Sequence, residues 1–354
     1  AHDRTDIDRA TCEGIPSATT PGFEHLAVRV EVDGRTFQVD AGMWLPPGEH
    51  EPGSVPMIVA LDLTGPAGVL NSTEYPLDPD SGVLIPDWLS GTMLVHGPIN
   101  DVMRGTASYR WPVDLILERG WGLIISCYGS WAPDDADHWR SRGVGHLLGL
   151  EDDPKGPRQI SLWAWSLSRL IDAACSIAEI DAANLATIGW SRLGKTALWA
   201  AANDERIQYV ISHESGCGGA SIAAHNYGET LSAMRQLFPQ WVLPADQVAE
   251  DAAGIDQHQL LASVWPRHLY VASGEIDNWA DPRGEYLGFK LASSMWDAEG
   301  AQALPDEAEA VSAPSQIRLG KLQYHSRPGG HEMTAYDWRQ YMEYLERCRT
   351  ADER

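Results

Sequence analysis

Hydrophobic and polar positions along the chain fall into two alternating kinds of run. Short runs rich in Val, Ile, Leu and Tyr read as strands, and longer stretches with apolar residues three or four apart read as helices. The predicted strands are HLAVRVEV from His25, FQVDAGMWL from Phe37, MIVALDL from Met57, GLIISCY from Gly122, LATIGW from Leu185, YVISHE from Tyr209, HLYVASG from His268 and KLQYHS from Lys321. The first two lie close enough to pair as a hairpin. ISLWAWSLSRLIDAACSI, over residues 160–177, and LGKTALWAAA, soon after Ser191, keep helical spacing. Strands alternating with helices predict an α/β fold with a mostly parallel sheet flanked by helices. Trp163, Trp165 and Trp199 fall at helical spacing, which assigns them to the core rather than to ligand stacking.

Three segments, residues 64–106, 129–157 and 215–266, are too long and too rich in Gly, Pro and Asp to be simple connections. Loops of that length usually carry function or small elements of their own, and these are expected to wall a substrate cleft. Residues 1–22 read as an N-terminal extension and residues 297–315 as a surface excursion. With no internal repeat, residues 1–354 read as a single domain.

Composition narrows the class. The 354 residues, 44% of them hydrophobic, suffice for a sizeable core. A net charge of −24 and a pI near 4.7 argue against nucleic acid and anionic membranes as partners, because both need clustered Lys and Arg. No run approaches the roughly 20 apolar residues that span a bilayer. Residues 1–22 are polar and acidic and hold no apolar leader core. No obligate protein partner is indicated. Cys12, Cys127, Cys175, Cys217 and Cys348 are an odd number without metal-like spacing, so neither a disulfide framework nor a cysteine metal site is expected.

The chemistry concentrates at ATIGWSRLGKTALW, a buried strand running straight into a helix with Ser191 at the junction. Such a turn lifts a hydroxyl above the sheet edge and aims helix N-terminal N–H groups at an anion. Gly189 supplies the small residue two before the serine, but Leu193 stands where a G-x-S-x-G pattern has its second glycine, and Gly194 follows it. On pattern alone a serine helix cap remains open. A nucleophilic serine needs a base, and His331 in SRPGGHEM follows the last predicted strand, where an α/β-hydrolase fold keeps it. His325, inside that strand, reads as structural. For the acid two candidates stay open. Asp277 in GEIDNWADP follows the strand before the histidine's, with Glu275 and Asp281 as neighbours, and Glu214 ends the strand YVISHE. An activated serine, a base and fixed dipoles suffice for acyl transfer, so no metal or organic cofactor is expected.

The run GWSRLGKTALWAAANDERIQYVISHESGCGG resembles the glucuronoyl esterases, carbohydrate esterase family 15, and specifically their bacterial branch. RWPVDLILERGWGLIISCYG, WAWSLSRLID, FPQW, EIDNWADPRGEYL and RPGGHEMTAYDW are similar to the same branch, and the likeness covers most of the chain from about Arg104 to Trp338. It implies an α/β-hydrolase fold and cleavage of the ester between (4-O-methyl-)glucuronate on glucuronoxylan and an alcohol of lignin. Carried over by motif, Ser191 is the nucleophile, His331 the base, Glu214 the triad acid and Asp277 an alternative acid. The displaced glycine becomes a family trait. Arg192 is implied to stabilise the oxyanion, and a cation at a helix N-terminus opposes the helix dipole, so its placement asks for such a reason. Lys195, Glu229 and Trp279 fall where sugar contacts are expected, and Gln240 and Trp241 in the substrate wall. Two departures bear on fine specificity: Gln240 stands where many bacterial members have His, and LDLTG at Leu61 replaces an Asn- and Arg-containing turn. A polysaccharide substrate favours an extracellular or periplasmic location; a chain complete without a leader is cytoplasmic. Another carbohydrate esterase, such as one removing acetyl groups from xylan, is the competing reading, and a silent carbohydrate-binding relative the third.

Overall fold

A computed structural model of the chain describes residues 9–18, 20, 22–86, 94–153, 155–247 and 254–352. Two compact units, Ala1–Ala182 and Ala183–Arg354, divide it.

In the first unit the strands are β1 (Arg9–Pro16), β2 (Phe23–Val32), β3 (Arg35–Trp44), β4 (Val55–Asp62) and β7 (Gly122–Cys127), with a separate hairpin of β5 (Val83–Pro86) and β6 (Leu94–Gly97). They run in the order β1-β2-β3-β7-β4. The pairs are antiparallel as far as β3–β7, while β4 and β7 are parallel. The expected hairpin is the β2–β3 pair. Every residue of β4 and β7 is buried, which is why both read as unbroken apolar runs. The helix Gln159–Cys175 buries Leu162, Trp163, Leu167 and Leu170 against this unit, and the Trp163 indole N–H donates to the carbonyl of Ala132 at 2.9 Å. Trp165 is half-buried. The LDLTG turn is organised by Asp62, which accepts from the Thr64 and Gly65 amides and, through its other oxygen, from the Trp111 indole and Arg110. A cavity of about 500 Å³ lies in this unit between β3 and the loops that carry Asp78 and Arg142.

In the second unit β8 (Ile180–Trp190), β9 (Ile207–His213), β10 (His268–Gly274) and β12 (Leu322–Arg327) are adjacent and parallel, and β11 (Ser315–Leu319) closes the edge antiparallel to β12. Register brings Trp190 opposite His213, His213 opposite Ala272 and Gly274 opposite Arg327. The C-terminal ends of four neighbouring strands are therefore level, and whatever follows them shares one rim. Helices Arg192–Asn203, Pro282–Ala292 and Ala335–Asp352 pack on these strands.

All eight predicted strands and both helices are present. Residues 1–8 lie outside the described set, but Arg9–Pro16, read as part of an extension, is β1 paired along its whole length with β2. Residues 87–93, 154 and 248–253 of the three long segments are also outside it. The described remainder of those segments carries short helices and the β5–β6 hairpin. Residues 297–315 hold the helices Ala298–Gln302 and Glu307–Val311. The assignment of Trp199 to the core is corrected: it is 42% exposed. Residues 192–198 are all buried, so this helix has a narrow outward face, and Trp199 and Asn203, one turn apart, occupy it. None of the five cysteines is in a disulfide. Among the described residues no helix is long and apolar enough to cross a membrane.

Candidate active site

Each of the ten residues singled out from the sequence lies in the second unit. Ser191 follows β8 with φ 59 and ψ −128, a conformation that costs a non-glycine residue strain and recurs at nucleophile turns. Its amide donates to the His213 carbonyl at 2.9 Å, tying the turn to β9. A Cβ on Gly189 would lie 1.9 Å from the Leu193 carbonyl oxygen, and one on Gly194 2.8 Å from Ser215 Cβ. The tight approach behind the turn therefore falls at Gly194 rather than at position 193, which accounts for the displaced second glycine.

His331 stands on the rim after β12, its ring 4.9 Å from that of Trp190, the residue before Ser191. Its Nδ1 lies 2.6 Å from Asp277 Oδ2 and 3.4 Å from Glu214 Oε2. Both acids are buried, whereas the histidine side chain is 31% exposed. Asp277 also accepts from the Ala280 amide. Glu214, itself at φ 47, sits between cations: Oε1 accepts from Arg327 Nη2 at 2.8 Å, and Oε2 accepts from the Trp190 indole and lies 3.5 Å from His213 Nε2. Burial alone lowers His213, but Glu214 and Asp337 outweigh it and raise it to about 9, so this histidine is charged at neutral pH. Asp337 is held well below the usual carboxylate range: burial raises it, and His213, His325 and Arg327 together lower it further. His325 is buried between Tyr270 and Asp337, as expected of a structural histidine.

Arg192 is buried, with its guanidinium 4.8 Å from the Trp241 ring and 5.8 Å from that of Phe238; the two rings stack at 3.9 Å. Trp241 and its neighbour Gln240 are buried as well. Lys195 is not a solvated helix lysine. Its ammonium donates to the carbonyls of Ser215 (2.5 Å) and Cys217 (2.7 Å) and to Glu229 Oε2 (2.5 Å), which uses its three donors inside the protein. The Glu229 amide in turn donates to the Trp279 carbonyl, and Trp279 is 44% exposed.

Reading the sequence missed Arg327, His213, Trp190 and Glu285. Glu285 is fully buried beneath the Glu214 loop and accepts from the Gly216 amide and the Ser273 hydroxyl; burial raises it to about 8, more than those hydrogen bonds lower it. Ser191, Glu214 and Asp281 all have positive φ, which no composition signal carries. Among the described residues, Glu214, Asp277 and His331 form a group with metal-ligand atoms within 4.8 Å of one another. Those atoms already serve the hydrogen bonds and ion pairs just described.

The family described as "Glucuronyl esterase, fungi" matches residues 128–300. A carbohydrate esterase from an unknown prokaryotic organism is 35% identical over 254 residues, 70% of this chain and 58% of its own, so the chain spans less than two thirds of that relative's length. A promiscuous carbohydrate esterase family 15 enzyme from a marine bacterial metagenome superposes with TM-score 0.78 at 27% identity, over 96% of this chain and 85% of its own. The glucuronoyl esterase of Solibacter usitatus superposes with TM-score 0.79 at 30% identity, over 98% of this chain and 87% of its own. The fold is that of the α/β hydrolases. A strained serine turn, a rim histidine backed by buried acids and a likeness running along nearly the whole chain agree, and the chain belongs to the glucuronoyl esterases, carbohydrate esterase family 15.

Proposed function

We propose that the chain is a serine esterase that hydrolyses esters of glucuronic acid or its 4-O-methyl ether, of the kind that join glucuronoxylan to lignin alcohols. The observation that carries this reading is the 2.6 Å contact between Asp277 and His331 Nδ1, with the imidazole packed at a tilt against Trp190 beside the strained Ser191. An acid on Nδ1 holds the tautomer that leaves Nε2 free to take the serine proton.

Ser191 Oγ attacks the ester carbonyl as His331 takes its proton, and the imidazolium is stabilised by Asp277 with Glu214 behind it. Negative charge develops on the carbonyl oxygen, and in this scheme Arg192 together with the helix N-terminus stabilises it. His331 then protonates the departing alcohol. Water, deprotonated by the same imidazole, cleaves the glucuronoyl-serine ester and restores the hydroxyl.

Sugar recognition falls to Glu229, Trp279, Gln240 and Trp241. Lys195 acts one step back in this scheme: by anchoring Glu229 it fixes an acceptor for paired sugar hydroxyls. Hydrolysis of methyl or benzyl glucuronate measured against acetylated xylose tests the substrate class. Faster release of acetate than of the glucuronate alcohol overturns it in favour of an acetyl esterase.

A further inference from the structure

His331 is delivered by a loop, Pro328 to Glu332, that has almost no apolar side chain with which to pack. Arg327, the last residue of β12 and itself buried, supplies the missing framework. Its Nη1 donates to the Pro328 carbonyl at 3.0 Å. Its Nη2 donates to the Gly330 carbonyl at 2.8 Å, to the Glu332 carbonyl and to Glu214 Oε1 at 2.8 Å. Its Nε forms an ion pair with Asp337 Oδ2 at 3.0 Å. The carbonyls before and after the base are thus gripped by one planar, rigid fork. Gly274 on the neighbouring strand makes room for the arrangement, since a Cβ there would lie 2.6 Å from Glu214 Oε1 and 2.7 Å from the Gly330 carbonyl.

We infer that Arg327 is the positioning residue of the catalytic base: it folds the His331 loop around its guanidinium and, by pairing with Glu214, leaves Asp277 as the acid bonded to the imidazole. This rests on the reading of His331 as the base. Failure of that reading would appear as an active His331→Ala variant, a result that does not depend on Arg327.

The charges that face this region are Glu214 and His213 from β9 and its end, Asp277 after β10, Glu285 on the helix Pro282–Ala292, and Asp337 on the C-terminal helix. Without the guanidinium, Glu214, 3.4 Å from the imidazole, keeps His213 as its one cationic neighbour among those named, and its less compensated charge favours the protonated base.

The test uses Arg327→Met and Arg327→Lys in the full chain, assayed on methyl glucuronate, with competent sites counted by a serine-directed phosphonate. Misplacement of the base by about 1 Å costs roughly 100-fold in rate, and that loss is expected in kcat for Arg327→Met with KM within about threefold of wild type. In the same variant the acid limb of the kcat/KM profile moves to higher pH. Should Arg327→Met fail to fold, Arg327→Lys decides: an ammonium keeps the charge but not the fork, so kcat per site falls about 10-fold while the acid limb stays in place. A wild-type kcat per titrated site in either variant overturns the inference, as does a loss of rate that only follows the unfolded fraction.

Discussion

Asp277 Oδ2 approaches His331 Nδ1 to 2.6 Å, whereas Glu214 Oε2 stands off at 3.4 Å and divides its charge between Arg327 and His213. The two acids that sequence reading leaves open are therefore separated by their surroundings. Asp277 faces the imidazole, and Glu214 neutralises buried cations.

Activity and stability should dissociate between the two acids. Loss of a triad acid costs about 10⁴-fold when nothing replaces it, so with Glu214 nearby Asp277→Ala is expected to lose roughly 100- to 1000-fold in kcat and little stability. Glu214→Ala should lose less activity but about 3–5 kcal/mol of stability, because Arg327 and His213 lose the buried carboxylate they share. Steady-state kinetics and denaturant unfolding of both variants check this. The opposite ranking in kcat makes Glu214 the working acid.

Arg192 is held against the Phe238–Trp241 stack at the start of the nucleophile's helix. Its replacement by Ala should lower kcat about 100- to 1000-fold, the usual cost of one oxyanion donor, with a small effect on KM. A change confined to KM would instead make it a ground-state binding residue.

The Lys195–Glu229 pair is buried on both sides. Removing one partner alone, as in Lys195→Met, should cost about 3–5 kcal/mol by denaturant unfolding. Glu229→Gln, which keeps the shape, should chiefly raise KM for glucuronate esters. An unchanged unfolding midpoint in Lys195→Met contradicts the buried-pair account.

Stability should fall on the alkaline side. His213 is raised to about 9 and Glu285 to about 8, so both bind protons more tightly in the folded state. The stability they contribute is complete below their ordinary values of 6.5 and 4.5 and is lost as pH climbs through about 9 and about 8. Thermal unfolding should show a drop on the order of a few kcal/mol between pH 6.5 and 9. Glu285→Gln should remove the Glu285 share of the slope below about pH 8 and leave the His213 share, which runs from 6.5 to about 9. A melting temperature that rises over the interval contradicts the assignment.

How far the chain could be read from its residues follows from the range of the interactions involved. Buried strands such as MIVALDL and HLYVASG announce themselves because their apolar runs are local. So do Ser191 between strand and helix and His331 among glycines. β1 is not local: RATCEGIP mixes polar and apolar residues and becomes a strand only by pairing with β2. Lys195 and Arg327 resemble surface charges in a string of letters, and their roles depend on partners more than 100 residues away (Arg327 and Glu214) or across a loop (Lys195 and Glu229). The resemblance to a family supplied Arg192, Lys195 and Glu229 as candidates, yet it could not say that Lys195 turns inward.

The attack of Ser191 Oγ on a glucuronate ester is put to the test by the kcat/KM of Ser191→Ala on methyl 4-O-methyl-glucuronate. A fall approaching 10⁶-fold is expected, roughly what removal of a serine nucleophile costs elsewhere, in a protein whose circular dichroism and melting temperature match wild type. A folded Ser191→Ala protein that retains a large fraction of the wild-type rate would contradict it.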